Sequence, residues 1–160
     1  MNHTVQNHLE ARRLEERPGN DAELAGFWDK VLTAYHDAMS SDTSPANRLL
    51  RAYDASRICA FAILRAGGYR TRGGDSHHFV TFDVARSLVD DGDLKQALDR
   101  MSGFRRVRHA IEYEAHDDAD EAKVAEALQL AERIIRLGGK HLRQQRPHVT
   151  LPQVDARRIT

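Results

Sequence analysis

Residues 45–66, PANRLLRAYDASRICAFAILRA, form the most apolar helical segment of the chain. Ser44 followed by Pro45 predicts a helix start, because serine caps helix N-termini and proline suits the first helical position. Gly67 and Gly68 predict the helix end. The apolar side chains lie on two sides of the predicted helix: Leu49, Leu50, Tyr53, Ile58, Phe61, Ile63 and Leu64. A helix that is apolar on two sides packs against several neighbours, so we expect it at the centre of a helical bundle.

The preceding segments predict one long helix and one short one. Asp21 is the expected N-cap of a helix of about five turns that ends near Met39. Its apolar residues recur three and four positions apart: Leu24, Phe27, Trp28, Val31, Leu32, Tyr35 and Met39. Residues 4–16 predict a short helix with a thin apolar face, so we expect a loosely held arm that is broken off at Pro18-Gly19-Asn20.

Three further helical segments follow the central one. Residues 77–89 predict a helix, and residues 93–115 predict another with a kink or short break near Ser102-Gly103, where the apolar face changes side. The last helix is expected to be capped within Asp117 to Asp120 and to end at Gly138-Gly139.

No β-strand pattern is evident, and the loops between the predicted helices are short. Short connections favour antiparallel neighbours, so the sequence predicts an all-α, up-and-down bundle of four to five helices. We expect an N-terminal arm over 1–20, the bundle over 21–139 and a C-terminal tail over 140–160.

Composition limits the possible function classes. The chain has 160 residues, 30% of them charged, and a formal net charge of zero, so bulk positive charge does not drive nucleic-acid binding. The single cysteine, Cys59, lies in an apolar helix and is expected to be a buried free thiol, which fits a reducing cytoplasm. We expect a cytoplasmic protein without a membrane span, because no apolar segment is long enough. No metal or cofactor motif is recognisable.

The chemically richest segment is Arg105–Tyr113, RRVRHAIEY. At about 100° per residue, one stripe of this predicted helix carries Arg105, His109, Glu112 and His116. A second stripe carries Val107, Ile111 and Ala115 and is expected to face the core. A permanent cation beside an imidazole suits phosphate chemistry, although an ordinary solvated helix face would show the same composition.

Cleavage of RNA without a metal requires a base, an acid and cations that stabilise the charge on phosphorus. In this interpretation His109 is the base or acid, and Arg105, one turn away, stabilises the developing charge. Arg106 and Arg108 would help to hold RNA, and Glu112 would orient the imidazole. The competing interpretation treats the same residues as i,i+4 surface pairs, which contribute only about 0.3–0.5 kcal/mol each.

Two other positions bear on this site. Asp54 lies in the apolar helix and is expected either to be exposed or to be a buried partner of Arg105 or Arg106. His77-His78 most simply marks a helix start, since adjacent helical residues point about 100° apart and rarely share a metal ion.

The order of these signals resembles HEPN (higher eukaryotes and prokaryotes nucleotide-binding) domains. The resemblance rests on residues 47–57 (NRLLRAYDASR), 67–72 (GGYRTR), 77–79 (HHF) and 105–113, and it covers about 21–137. It implies a helical bundle that dimerises and, in many members, a metal-independent ribonuclease of a toxin–antitoxin, CRISPR or anti-phage system.

The family motif is an arginine, four to six intervening residues and a histidine, with two copies meeting across a dimer. Here Arg105 and His109 are separated by three residues. In some members a tyrosine after the histidine is modified by a partner nucleotidyltransferase, which makes Tyr113 a possible modification site and such an antitoxin a possible partner. Other members are non-catalytic and bind a nucleotide or a protein. A helical adaptor without any ligand is a third possibility.

Overall fold

Helices form most of the chain, as the sequence predicts. The computed structural model describes residues 2–73, 77–114 and 120–153. Its elements in chain order are α1 (His3–Glu10), β1 (Leu14–Glu16), α2 (Asp21–Met39), α3 (Pro45–Ala66), β2 (Tyr69–Thr71), α4 (His77–Leu88), α5 (Gly92–Ser102), α6 (Arg105–Tyr113) and α7 (Glu121–Gln145). No helix among these described residues is long and apolar enough to cross a membrane.

Helix α3 is the central helix, which confirms the prediction from its two apolar sides. It packs against α2, α4 and α7. Ser44 caps it by accepting a hydrogen bond from the backbone N–H of Asn47 at 3.3 Å. Gly67 follows its last turn, and Gly68 has a φ of +101°, a left-handed conformation that favours glycine. Twelve of the 22 residues of α3 are buried, so its packing fixes the positions of its neighbours.

The N-terminal segment packs more firmly than its sequence predicts. Val5 and His8 of α1 are buried, and the imidazole Nε2 of His8 lies 2.8 Å from the carboxylate of Asp83 on α4. Arg13 donates from Nε to Nδ1 of the same imidazole at 3.0 Å. The expectation of a loosely held arm is therefore wrong for the described residues. Its thin apolar face is supplemented by polar contacts that helical periodicity does not reveal.

The structure also contains a small sheet that the sequence does not predict. Strands β1 and β2 pair antiparallel, with Leu14 opposite Thr71 and Glu16 opposite Tyr69. Each strand has three residues, which is too short for an alternating apolar pattern to be recognised. The sheet ties the N-terminal segment to the residues that follow α3.

The short helix predicted over 4–16 ends at Glu10, and Leu14–Glu16 form strand β1 instead, so that prediction is wrong in its second half. Most ends of the helices from α2 to α6 agree with their predictions within two residues. Asn20, rather than Asp21, caps α2 by accepting a hydrogen bond from the N–H of Glu23 at 2.8 Å. The predicted break near Ser102-Gly103 is confirmed, since α5 ends at Ser102 and α6 begins at Arg105. Asp120 caps α7, whereas residues 117–119 of the predicted cap lie outside the described residues.

The predicted end of the last helix is wrong. Helix α7 continues through Gly138 and Gly139 to Gln145. Both glycines are buried because α7 lies close to its neighbours at this point. A Cβ on Gly138 would lie 2.7 Å from Sγ of Cys59, and a Cβ on Gly139 would lie 2.8 Å from the Trp28 ring. The two glycines therefore permit close helix packing rather than a helix stop.

The residues after α7 return to the helices in the part that the structure describes. Trp28 donates from its indole Nε1 to the carbonyl oxygen of Pro152 at 2.7 Å. Arg143 donates to the carbonyl oxygen of Leu151 from Nε at 2.9 Å and from Nη2 at 2.7 Å. Residues 154–160 of the predicted tail lie outside the described residues.

Candidate functional site

Helix α6 exposes most of the residues that the sequence singles out. Ala110 is buried, and Val107 and Ile111 are partly buried against the core, as the apolar stripe predicts. Arg105, Arg106 and His109 are exposed, and Tyr113 is 72% exposed. Ala115 and His116, which extend the two predicted stripes, lie outside the described residues.

Arg108 is the α6 arginine that packs inward. Its side chain is 22% exposed, and its guanidinium carbon lies 5.5 Å from the centre of the Tyr53 ring. Its Nη2 lies 3.2 Å from Oε1 of Glu112, the ion pair expected from the i,i+4 spacing. Its Nε lies 4.0 Å from Oδ1 of Asp54. Arg108 therefore fixes α6 against α3 by cation–π and ionic contacts.

Asp54 matches neither alternative, because its side chain is largely buried and its partners are not the predicted ones. Its carboxylate lies 3.4 Å from Arg51 and 4.0 Å from Arg108, and not beside Arg105 or Arg106. The reason is the rotation of α6 about its axis. Helical periodicity shows which residues share a face, but it does not show which edge of that face meets α3. Arg108 occupies that edge, and Arg105 lies farther round towards solvent.

His109 lies at the outer surface of α6. Its ring centre is 4.9 Å from that of Tyr113, with the two planes inclined at 42°. The carboxylate of Glu112 contacts Arg108, so within the described residues it does not contact the imidazole it was expected to orient. Arg105 and His109 thus share an exposed surface of one chain, together with the aromatic ring of Tyr113.

Beneath α6 lies a polar pair that the sequence analysis missed. The hydroxyl of Tyr53, on α3, is 3.4 Å from Nδ1 of His78, on α4. Burial raises the pKa of Tyr53 to about 12, so the phenol keeps its proton. Burial and the cations nearby lower the pKa of His78 to about 3, so the imidazole is neutral at neutral pH. Tyr53 can then donate to Nδ1 while Nε2 of His78 carries the remaining proton.

Three arginines lie within electrostatic range of this Tyr53–His78 pair and are called the arginine cluster below: Arg57, Arg105 and Arg108. All three lower the pKa of Tyr53 and that of His78, which places each guanidinium within electrostatic reach of both rings. Nε of Arg57 and Nε of Arg108 are buried and have no hydrogen-bond partner among the described residues. Such unpaired buried donors are uncommon and call for an explanation, for example a water molecule or an ion.

One sequence signal pointed to this cluster. Tyr53 and Arg57 are four residues apart, so they share one face of α3, and Asp54 lies beside them. No feature of the sequence linked His78 to Tyr53, because the pair His77-His78 was already accounted for as the start of a helix. His77 and His78 do begin α4, with ring centres 4.2 Å apart.

An open groove lies between α2 and α3 next to the cluster. Its volume is about 310 Å³, and its wall includes Asp54 and Arg57 of α3 and Asp29 and Lys30 of α2. Among the described residues no group of three or more His, Cys, Asp or Glu side chains is arranged to hold a metal ion. Cys59 is fully buried and burial raises its pKa to about 12, which agrees with the expected unreactive thiol.

No family model, no curated protein and no solved structure matches this chain. Function must therefore be inferred from the residues and their geometry.

Proposed function

We propose that this protein is a HEPN-like bundle and a metal-independent endoribonuclease of the toxin or defence type. The observation that supports it best is the exposed face of α6. This face presents Arg105 and Arg106, the imidazole of His109 and the adjacent ring of Tyr113 together. Cations next to exposed aromatic rings are typical of surfaces that bind single-stranded nucleic acid.

The charges at the start of α6 also favour an anionic ligand. No acidic residue occupies the first turn, and Phe104 provides no side-chain cap. Arg105 and Arg106 therefore add positive charge to the positive end of the helix dipole, at a cost of about 0.3–1 kcal/mol each. Within the described residues neither guanidinium has a carboxylate in salt-bridge range to offset that cost. A bound phosphate would offset it.

The proposed reaction is an internal transesterification of RNA. The ribose 2′-oxygen attacks phosphorus, its proton passes to a base, and the 5′-oxygen leaves with a proton from an acid. His109 supplies one of these functions and Arg105 stabilises the charge on the phosphoryl oxygens. Among the described residues this face presents a single imidazole, and we expect a two-fold related copy in a homodimer to supply the second, as the family resemblance implies.

The direct test is cleavage of RNA in excess EDTA by wild type, His109→Ala and His36→Ala. His36 is an exposed histidine on α2 and gives a matched control for loss of an imidazole. Cleavage by wild type and His36→Ala, but not by His109→Ala, supports the proposal, and the products should carry 2′,3′-cyclic phosphate ends. Equal cleavage by all three variants, or no cleavage by wild type, refutes it. Growth of cells expressing each variant provides the matching test of toxicity.

Mixing two inactive variants tests the shared site. If each site combines residues of two copies, Arg105→Ala mixed with His109→Ala should regain part of the activity after subunit exchange. Sedimentation equilibrium on the same samples should show a dimer. A fully active monomer would contradict the proposal that two copies share one site. The cleavage assay would still show whether the protein cleaves RNA.

A second candidate is a non-catalytic module that binds a nucleotide or a protein partner. The arginine cluster favours it, because Arg57, Arg105 and Arg108 of a single chain all lie within electrostatic range of Tyr53 and His78. Binding of a nucleotide without RNA cleavage would support this alternative.

Tyr113 is a proposed modification site. Its side chain is 72% exposed, so a partner nucleotidyltransferase could reach its hydroxyl. Mass spectrometry of the protein co-expressed with such an enzyme should show a nucleotidyl group on the Tyr113 peptide and none in a Tyr113→Phe variant. An unmodified Tyr113 peptide would count against the partnership.

A further inference from the structure

We propose that the arginine cluster and His78 form a binding site for a phosphate monoester group, complete within one chain and distinct from His109. The ligand would lie against Arg57, Arg105 and His78, with Tyr53 beneath it holding the imidazole. Arg105 borders both this site and the proposed cleavage face. The inference does not depend on RNA cleavage, because it uses neither a second copy nor His109.

The charges and donors of the cluster favour an anionic ligand. The cluster and its ion-pair partners comprise four guanidinium groups and two carboxylates: Arg51, Arg57, Arg105, Arg108, Asp54 and Glu112. These six groups leave a surplus of two positive charges. The wall of the neighbouring groove adds Lys30 and the carboxylates of Asp29 and Asp37, which lowers the surplus to one. A phosphate monoester carries about −1.5 to −2 at neutral pH, as a phosphorylated side chain does. Its three terminal oxygens match the three donor side chains Arg57, Arg105 and His78, whereas an internal phosphodiester has only two such oxygens.

The donors also suit a phosphate group. Asp54 contacts Arg51 and Arg108, so Arg57 has no carboxylate partner among the described residues. Its Nε is buried without an acceptor. Guanidinium groups match the geometry of phosphate oxygens and bind them through paired, charge-assisted hydrogen bonds. With Nδ1 facing Tyr53, the neutral His78 imidazole has one further N–H to donate.

The site can be reached from solvent. Arg105 is exposed, Arg57 and His78 are half-buried, and Arg57 forms part of the wall of the groove between α2 and α3. Tyr53 is fully buried, so it positions His78 and does not itself contact the ligand. A small phosphate group fits this arrangement better than a bulky one, because Arg108 and Tyr53 close the inner side of the cluster.

The test is calorimetric titration of the full-length protein with inorganic phosphate, glycerol phosphate and dimethyl phosphate. Phosphate and the monoester should bind, and the diester should bind at least tenfold more weakly. Arg57→Gln and His78→Gln should each weaken binding by tenfold or more. Arg86→Gln is the matched control, since Arg86 is an exposed arginine two turns along α4 from His78. Equal binding of monoester and diester, no binding of either, or full binding by Arg57→Gln would overturn the proposal.

Histidine NMR supplies a readout that a folding defect would not imitate. A bound dianion beside His78 should raise its pKa from about 3, whereas the pKa of the imidazole in Arg57→Gln should no longer respond to phosphate. Circular dichroism of each variant confirms that the helices are retained. An imidazole whose titration is unchanged by saturating phosphate would contradict the assigned position of the ligand.

Two natural sources of a phosphate monoester can be separated with oligoribonucleotides. A 5′-phosphorylated strand that binds tenfold more tightly than its 5′-hydroxyl counterpart identifies the end of an RNA chain as the source. Equal binding of the two strands, together with binding of glycerol phosphate, identifies a small phosphate ester. The result is independent of the cleavage assay, because His109→Ala should bind phosphate as wild type does. RNA cleavage by a protein that binds no phosphate would contradict the phosphate site and leave the proposed ribonuclease activity standing.

Discussion

Replacing Gly138 with alanine should destabilise the protein, although alanine is the better helix former. Alanine is favoured over glycine inside a helix by about 0.8–1 kcal/mol. At Gly138, however, the added Cβ would lie 2.7 Å from Sγ of Cys59, which is fully buried. Carbon–carbon contacts are normally about 3.5–4.0 Å and sulfur is larger, so α3 and α7 must separate by about an ångström. Overpacking of this kind costs about 1–3 kcal/mol, which leaves a net loss of up to about 2 kcal/mol after the gain in helix propensity.

Gly26 offers a control with the same chemical change. It lies inside α2, and a Cβ there would meet nothing within 4 Å. Gly26→Ala should therefore stabilise the protein by up to about 1 kcal/mol. Urea unfolding followed by circular dichroism gives both free energies of unfolding by linear extrapolation. A Gly138→Ala variant that is as stable as Gly26→Ala would refute the reasoning.

A double-mutant cycle isolates the contact between the two helices. Cys59→Ala removes Sγ, so it should make room for the methyl group of Gly138→Ala. The double variant should be more stable than the sum of the single effects predicts, by about 1–2 kcal/mol, because the two positions are in contact. Strict additivity would mean that the methyl group does not meet the thiol.

Three further predictions concern buried polar contacts. The pKa of His78 is about 3 in the folded protein and about 6.5 in the unfolded chain. As the pH falls from 6.5 towards 3, the imidazole therefore takes up a proton in the unfolded chain only. Stability should therefore fall over that range, and His78→Gln should lose less than wild type in parallel urea titrations. His8→Ala removes the 2.8 Å contact with Asp83 and should cost about 1–3 kcal/mol in the same assay, so an unchanged midpoint would contradict the docking of α1. Trp28→Phe removes the donor to the Pro152 carbonyl and should speed proteolysis of the C-terminal segment, whereas an unchanged cleavage rate would show that this bond does not hold it.

Helical periodicity predicted the main helices because each buries an apolar stripe. The two-sided apolarity of 45–66 predicted a central helix, and α3 is central. The same reasoning failed at Gly138 and Gly139, since glycine ends a helix in one context and permits close packing in another. Only the positions of Cys59 and Trp28 distinguish the two, and these come from tertiary structure. The short strands β1 and β2 were not predicted for a similar reason, because their pairing also depends on tertiary structure.

The candidate site was predicted in part. The sequence placed Arg105, His109 and Tyr113 on one exposed helix, and the structure has them exposed on α6. It did not find His78, because that residue approaches Tyr53 only through the packing of α4 on α3. Contacts between residues far apart in sequence depend on how each helix is rotated about its axis. Amphipathic spacing fixes that rotation only to within about one residue position.

The contacts of each residue at the candidate site decide which variants can test function. Arg108 contacts Asp54, Glu112 and the Tyr53 ring, so replacing it would loosen α6 from α3 as well as weaken any ligand. A loss of activity in an Arg108 variant would therefore not separate binding from stability. His109 is exposed, and surface substitutions usually change stability by no more than about 0.5 kcal/mol. Arg57 has no carboxylate to leave unpaired among the described residues. His109 for cleavage and Arg57 for phosphate binding are for this reason the positions at which a lost function can be attributed to the side chain itself.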